Sequence, residues 1–280
     1  MSATPHAPQP PGALYVVPTP LDFGCDVQLQ RPVTDSLPLA TLQVAAKLTH
    51  WITENAKSTR AFLKRVDTVL PLAMPLQHMH WQELTRAMHK KGDHVTAPMA
   101  VKDVQQWLAP ALSGHDIGLV SEAGMPAIAD PGSSVVRTAH SMGLEVRVLS
   151  GPVSLVLALA GSGLNGQHFA FVGYLPQEVS ARVARLRELE AVALRTGQTQ
   201  LWIETPYRNG AMVQSTLSTL KPDTWLAVGC GLMVASGEEP RHPNRGHEEQ
   251  RQRHSAPVSH WKKHPPRLDW SLPAVFMIGP

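Results

Sequence analysis

Residues 119–132, with the sequence LVSEAGMPAIADPG, join an apolar run to a loop of small residues that carries the carboxylates of Glu122 and Asp130. Residues 115–121 have the composition of a buried strand, and residues 132–142 have helical spacing. In open α/β sheets, ligands bind beyond the carboxyl ends of strands, where such a loop lies. Glu122 is therefore a candidate ligand group. Asp130 is also a good residue for the N-cap of the following helix.

Strands and helices alternate on both sides of this stretch. In the first half the pattern predicts strands at 13–17, 50–54, 115–121 and 145–149, and helices at 36–47, 57–65, 93–112, 132–142 and 152–160. In the second half it predicts strands at 169–175, 199–204, 225–232 and 274–278, and helices at 178–194 and 209–220. This alternation indicates an α/β protein with mostly parallel strands and helices on both faces.

The pattern divides the chain into two α/β domains. We expect a disordered proline-rich leader at 1–12, an N-terminal domain at 13–160, a linker at 161–167 and a C-terminal domain at 168–280. Within the C-terminal domain, residues 235–267 are rich in His, Arg, Glu and Pro, and this composition predicts a mobile loop. The linker matches the dinucleotide fingerprint GxGxxG at 161–166, but a helix precedes it and a strand follows. This inverted context favours a hinge over an NAD site.

Composition limits the class of protein. Of the 280 residues 43% are hydrophobic and 17% charged, and neither a signal peptide nor a membrane-spanning run is evident in the sequence. Cys25 and Cys230 are too few for a disulfide framework, so we expect a soluble cytoplasmic protein with reduced thiols.

Basic residues concentrate at 182–195 and 241–267. Each group is either a surface for a phosphate backbone or an ordinary solvated face.

Two further loops follow predicted strands of the first half. Residues 18–20 (PTP) end the first strand, because a proline pair cannot continue a ladder. Residues 150–154 (SGPVS) precede a helix whose first N–H groups offer hydrogen bonds. A simple turn also explains each loop alone, but three such loops at the strand ends of one sheet favour a ligand site.

Metal binding is not predicted, because His78 and His80 lack a third ligand at a useful spacing.

Five motifs in this order carry a family resemblance: VVPTP at 16–20, the loop at 119–132, GP at 151–152, GYLP at 173–176 and ETPYR at 204–208. Together they resemble the tetrapyrrole methylase superfamily, and within it the ribosomal RNA small-subunit methyltransferase I family. The likeness spans residues 13–234. It implies two α/β domains, each a mixed sheet flanked by helices, with S-adenosylmethionine in a cleft between them. It also implies a homodimer and 2′-O-methylation of a cytidine ribose in 16S ribosomal RNA.

The resemblance assigns residues by their match to these motifs. The implied cofactor site consists of Pro20, Glu122, Ala123, Gly124, Met125, Pro126, Gly151, Pro152, Val153, Ser154, Ile203 and Glu204. Three basic residues are candidates for contact with an RNA phosphate or the acceptor, namely Lys57, Arg60 and Arg208. Glu54 is a candidate general base, which a ribose hydroxyl needs because it is a poor nucleophile.

Some motifs depart from the family pattern. Glu122 stands where the family has Asp, and the basic residue in 54–60 (ENAKSTR) is displaced. The family's charged RELTK segment reads GCGLM at 229–233. These changes leave two alternatives open, a cofactor- or RNA-binding homologue without transfer activity, and a methyltransferase for a tetrapyrrole or a protein side chain. An NAD oxidoreductase built on 161–166 is a third alternative.

Overall fold

The computed structural model describes residues 10–22, 25, 27–84, 98–234 and 253–280. The chain divides into two compact units, Met1–Phe23 with Pro32–Pro152 and Gly24–Arg31 with Val153–Pro280. Most of the predicted leader, 1–9, lies outside the described residues. Within the described part of the chain, every helix is too short or too polar to cross a membrane.

The first unit contains a five-stranded sheet in which every described pairing is parallel. Its strands are β1 (Leu14–Val16), β2 (His50–Thr53), β3 (His80–Glu83), β4 (Ile117–Val120) and β5 (Val146–Val148), in the order β3-β2-β4-β1-β5. The helices are α1 (Leu39–Lys47), α2 (Ala56–Asp67), α3 (Pro98–Leu112) and α4 (Ser133–Ser141). The expectation of a mixed sheet in each domain is therefore wrong for this unit. Helical connections carry the chain back to the same end of the sheet between successive strands, and such crossovers make the strands parallel.

Helices cover both faces of this sheet, as the alternation predicted. Tyr15 and Trp51 pack with residues of α1 and α2 on one face. Leu14, Ile52 and Leu119 pack with residues of α3 and α4 on the other. Successive strand residues point to opposite faces, so both faces of the sheet bury apolar side chains.

The second unit has a five-stranded mixed sheet in the order β6-β7-β10-β8-β9. Only the pairing of β6 with β7 is parallel among those described. The strands are β6 (Phe169–Tyr174), β7 (Thr199–Glu204), β8 (Trp225–Cys230), β9 (Arg253–Pro257) and β10 (Ala274–Gly279). The helices are α5 (Ser154–Ala160), α6 (Val179–Thr196), α7 (Asn209–Thr219) and α8 (Val258–Lys263).

The prediction of a mobile loop at 235–267 is wrong for the part of it that the structure describes. β9 pairs with β8, and α8 follows directly. Trp261 is buried, and its Nε1 donates a hydrogen bond to the carbonyl of Leu226 at 2.9 Å. Trp261, together with the buried Val258, thus anchors a segment whose composition is mostly polar. Residues 235–252 lie outside the described residues.

The predicted linker at 161–167 is also wrong, because this segment lies inside the second unit. The boundary falls between Pro152 and Val153, and α5 packs against β10. The glycine-rich segment is a hydrogen-bonded turn: the Asn165 carboxamide accepts from the backbone N–H groups of Gln167 and His168 at 3.0 and 3.2 Å. The Asn165 amide donates to the carbonyl of Gly197 at 3.0 Å. A helix enters this turn and β6 leaves it, which is the reverse of a dinucleotide site.

The basic group at 182–195 does not form one exposed face. Arg182 is buried, and its guanidinium donates to Ser215 Oγ and to the carbonyl of Gln177, each at 2.9 Å. Arg185 pairs with Glu188 at 3.0 Å on the surface of α6. Arg182 therefore serves packing within the second unit rather than contact with a phosphate backbone.

Candidate functional site

Three loops meet at the carboxyl edge of the parallel sheet. They follow β1, β4 and β5, which are neighbours in the order β4-β1-β5. The loop after β1 pairs with the loop after β4 through two backbone hydrogen bonds, Thr19 N–H to Gly124 O at 2.9 Å and Gly124 N–H to Thr19 O at 3.1 Å. The third loop is fixed by the hydroxyl of Thr41, which donates to the carbonyl of Ser150 at 2.7 Å. The structure thus brings together Pro20, residues 122–126, Gly151 and Pro152.

The contact between the first and third loops requires a glycine. A Cβ atom at Gly151 would lie 2.3 Å from Cγ and 2.5 Å from Cβ of Pro18. Gly124 has a φ of +75°, a conformation that favours glycine, and its position lets the two loops pair. Small residues therefore allow the backbones of all three loops to approach each other, and leave peptide groups rather than side chains at this edge.

The topology identifies the same edge. β1 leads into α1 on one face of the sheet, whereas its neighbour β4 leads into α4 on the other face. Adjacent strands whose connections leave to opposite faces form a switch point, and ligands of open α/β sheets bind in the crevice there. Thr19 and Gly124, which pair across the ends of β1 and β4, lie at this switch point.

Carboxyl groups gather beside these loops. Glu54 follows β2 directly, and its Oε2 accepts a hydrogen bond from the backbone N–H of Glu122 at 3.0 Å. Burial raises the pKa of the Asp130 carboxyl to about 7, and the charges of Glu54 and Glu122 act in the same direction. The N-cap of α4 is Gly132, so the interpretation of Asp130 as the helix cap is wrong. The edge therefore has a negative electrostatic environment.

The shifted Asp130 carboxyl gives a pH-dependent prediction for stability. The folded chain keeps a proton on Asp130 that the unfolded chain releases between about pH 4 and pH 7, so this residue lowers the free energy of unfolding as the pH rises through that window. Asp130→Asn, which mimics the protonated form, is expected to be about 1–3 kcal/mol more stable than wild type near pH 8. Urea unfolding at both ends of the window measures this. Near pH 4 the folded wild type keeps the proton on Asp130. A stability difference of the same size at that pH would therefore exclude ionisation of the Asp130 carboxyl as its cause.

A buried ion pair supports the loop after β1, and the sequence pattern gave no sign of it. Asp22 is 5% exposed, and its two carboxylate oxygens accept from Nη1 and Nη2 of Arg65 at 3.0 and 2.9 Å. Arg65 lies near the end of α2, so the pair ties the loop to the helix that covers the sheet. An acidic residue just after the PTP motif is the only sequence feature that points to this contact.

The remaining candidates of the first unit lie at the start of α2. The side chain of Asn55 caps the helix, and Glu83 Oε1 accepts from the N–H of Ala56 at 2.7 Å. Lys57 is exposed on the first turn. The exposed Arg60 guanidinium lies over the ring of Trp81, 4.8 Å from its centroid. Glu54, Lys57 and Arg60 therefore all follow the carboxyl end of β2.

The other predicted site residues, Val153, Ser154, Ile203, Glu204 and Arg208, belong to the second unit. The Glu204 side chain is fully buried, and its Oε2 lies 2.8 Å from Nη2 of Arg208. Arg208 also donates to the carbonyl of Leu175 at 3.2 Å. The structure therefore places Arg208 in an ion pair within its own unit rather than as a free cation.

Residues 229–233 are packed into the second unit. A Cβ atom at Gly231 would lie 2.3 Å from Cδ1 of Leu272. The buried Cys230 thiol donates to the carbonyl of Asp269 at 2.8 Å, and burial raises its pKa to about 12. Small and apolar residues are thus required at positions where the resemblance leads one to expect charges. Among the described residues, no group of three or more His, Cys, Asp or Glu side chains is arranged to hold a metal ion.

Comparison with known proteins agrees with the motifs. No protein-family model matches the chain. The ribosomal RNA small subunit methyltransferase I of Vibrio cholerae is 31% identical over 207 residues, which cover 74% of this chain and 60% of that protein. The Mesorhizobium japonicum protein of the same name is 28% identical over 217 residues, covering 78% and 62%. The chain thus spans about three fifths of the length of these relatives.

A solved structure, uroporphyrin-III-C-methyltransferase from Thermus thermophilus, superposes with a TM-score of 0.49 at 15% identity, over 96% of this chain and 94% of that one. The sheet and loops of the first unit define an α/β protein of the kind that binds a ligand at the carboxyl edge of a parallel sheet. By its sequence the chain is distantly homologous to the ribosomal RNA small subunit methyltransferase I proteins of these organisms. The resemblance of the motifs is confirmed at this level.

Proposed function

We propose that the chain is an S-adenosylmethionine-dependent methyltransferase whose first unit holds the cofactor at the carboxyl edge of its parallel sheet. The observation that carries the proposal is the meeting of three glycine- or proline-containing loops at the switch point between β1 and β4. Backbone N–H and C=O groups at this edge are suited to the adenine and ribose of a nucleoside. Homology to methyltransferases supports the same choice of ligand.

The charge at this edge distinguishes between cofactors. S-adenosylmethionine carries a sulfonium and an ammonium group, whereas NAD carries an anionic pyrophosphate. The carboxyls of Glu54, Glu122 and Asp130 lie close enough for Glu54 and Glu122 to raise the pKa of Asp130. Opposite charges attract and like charges repel most strongly where water is partly excluded. The acidic edge therefore favours the sulfonium cofactor over the dinucleotide.

We assign roles to the chain's own residues on this basis. Glu122 accepts hydrogen bonds from the cofactor, and Gly124 and Gly151 let its flat parts reach the backbone. The proposed set in the first unit consists of Pro20, Glu122, Ala123, Gly124, Met125, Pro126, Gly151 and Pro152. The assignment of Val153, Ser154, Ile203 and Glu204, which belong to the second unit, stays a prediction from the sequence. When bound, the cofactor supplies an electrophilic methyl group. The chain contributes mainly by aligning the acceptor oxygen with that methyl group, and Glu54 is the candidate base for the acceptor proton.

Glu122→Ala is expected to weaken binding of S-adenosylmethionine by about 1–3 kcal/mol, because it leaves a hydrogen-bond donor of the ligand unpaired. Calorimetric titration with S-adenosylmethionine, S-adenosylhomocysteine and NAD measures the effect. Glu145→Ala is the matched control, because Glu145 is exposed and lies just before β5, at the opposite edge of the sheet. Equal affinities for wild type and Glu122→Ala would remove the proposed role of Glu122. Binding of NAD alone would overturn the proposed class.

We further propose ribosomal RNA as the methyl acceptor, by 2′-O-methylation of a ribose in 16S RNA. The names of the homologous proteins support this substrate. Lys57 and Arg60 support it as well, because both are exposed at the helix start that follows β2 and are available for a phosphate. Arg208 is a weaker candidate, since it already pairs with Glu204.

We also propose that the enzyme acts as a homodimer in the cytoplasm.

Mapping ribose methylation in small-subunit RNA from cells with and without the gene tests the acceptor. The proposal expects one ribose methyl group to be missing in the deletion strain and restored by the wild-type gene. If no site is lost while the purified protein binds S-adenosylmethionine, the acceptor is a tetrapyrrole or a protein side chain, or transfer activity is absent. The uncharged GCGLM segment at 229–233 is the feature that favours loss of transfer activity.

A further inference from the structure

A cavity of about 490 Å³ lies in the first unit at the amino-terminal edge of the parallel sheet. His50 and His80 begin β2 and β3, and His115 lies just before β4, so these histidines form the sheet side of the cavity. Gln106 and Trp107 of α3 form the opposite side. The cavity is at the end of the strands away from the three loops, and is therefore separate from the proposed cofactor site.

The three histidines form a column of imidazole rings. The ring of His50 stacks on that of His80 with centroids 4.3 Å apart and an angle of 16° between the planes. His115 lies on His50 at 4.7 Å and 32°. Burial, together with the neighbouring His80 and His115, lowers the pKa of His50 to about 4, so the central ring is neutral at physiological pH. His80 and His115 are exposed, so a planar ligand can extend the column at either end.

Apart from the histidines, the polar side chains of the described lining carry no charge. Gln82, Gln106 and Ser113 supply amide and hydroxyl groups that both donate and accept hydrogen bonds. The described residues that line the cavity include no carboxylate, lysine or arginine. A cationic ligand would therefore find no counter-charge among these described residues, whereas a flat neutral ligand with hydrogen-bonding edges finds both a stacking surface and polar partners. Unpaired nucleobases have this chemistry, and proteins bind them by stacking on aromatic rings.

We propose that this cavity is a binding site for an unpaired nucleobase, either of single-stranded RNA or of a free nucleoside. Its volume falls within the range of small-molecule sites and leaves room for a ribose beside the base. The base stacks on the histidine column and Trp107, and the side chains of Gln82 and Gln106 bond its edges. The proposal goes beyond the methyltransferase function and does not depend on it, because the bound base need not carry the methyl acceptor.

The test is calorimetric titration of the full chain with cytidine, uridine and guanosine, and separately with a short single-stranded oligoribonucleotide. These nucleosides are chosen because none of them is part of S-adenosylmethionine. Gln106→Ala and His80→Ala are each expected to weaken binding about fivefold or more. Gln105→Ala is the matched control: it is the same residue type, adjacent and exposed on α3, but does not line the cavity. Thermal unfolding of each variant checks that the fold is retained.

The two probes distinguish the sources of the base. Tighter binding of the oligoribonucleotide, lost in Gln106→Ala, identifies RNA as the ligand, and binding of nucleosides alone identifies a free nucleoside. Either result supports the site. The proposal is overturned if neither probe binds at millimolar concentration, or if Gln105→Ala weakens binding as much as Gln106→Ala. Because no probe contains the methyl donor, such a failure leaves the proposed methyltransferase function untouched.

Discussion

Gly151→Ala is expected to reduce the affinity for S-adenosylmethionine more than tenfold and to destabilise the fold by about 1–3 kcal/mol. The new Cβ would lie 2.3 Å from Cγ of Pro18 and 3.0 Å from Cδ2 of Leu37. The proline ring is rigid and lies two residues after the end of β1, so it cannot turn away as a flexible side chain does. The loop after β5 must therefore move away from the loop after β1, which opens the edge where the cofactor is proposed to bind.

Urea unfolding and calorimetric titration measure the two parts of this prediction. Gly166→Ala is the control, because a Cβ atom there meets nothing within 4 Å and no unusual φ is required. It is expected to leave both stability and affinity unchanged. If Gly151→Ala behaves like Gly166→Ala, the close approach of the two loops is not needed for either property. A loss of stability without a loss of affinity would separate the packing of the loops from cofactor binding.

Arg65→Met is expected to cause the largest loss of stability, about 3–5 kcal/mol, because it leaves the Asp22 carboxylate buried without its counter-ion. The side chains of Asp22 and Arg65 are 7% and 24% exposed, and two hydrogen bonds join them. Because Asp22 follows the PTP loop, cofactor affinity is expected to fall together with stability.

A second variant identifies the cause of this loss. In Asp22→Asn with Arg65→Met no buried charge remains, so the double variant is expected to regain part of the stability that Arg65→Met loses. Arg185→Met removes an exposed pair with Glu188 and is expected to cost less than about 1 kcal/mol. Equal free energies of unfolding for Arg65→Met and Arg185→Met would show that the buried pair contributes no more than a surface pair.

The carboxyl-edge loops could be located from the sequence because parallel strands bring their ends to the same edge. Strand composition at 13–17, 115–121 and 145–149 therefore placed Pro20, Glu122 and Gly151 near each other before any contact was known. The close approach of Gly151 to Pro18 and the pairing of Asp22 with Arg65 depend on tertiary geometry. The latter joins residues 43 positions apart, and no local pattern encodes such a distance.

Errors arose where local composition and tertiary structure disagree. The sequence pattern did not predict the strand β3 (HWQE). This strand lies at the edge of the sheet and carries three exposed side chains, so it lacks the alternation of a half-buried strand. Glycines at 161–166 suggested a flexible linker, but Asn165 holds this turn through side-chain hydrogen bonds. In 253–263 the polar majority concealed the buried Trp261. In each case one or two contacts decide the structure against the average composition of the segment.

Hydrogen exchange of the backbone amides, with and without saturating S-adenosylhomocysteine, tests most directly whether the carboxyl edge of the parallel sheet is the cofactor site. We predict that the ligand slows exchange in residues 19–22, 122–126 and 150–152, while exchange at the start of β2 and β3, around His50 and His80, stays unchanged. Binding of the ligand with no slowing in any of these three loops would contradict the account.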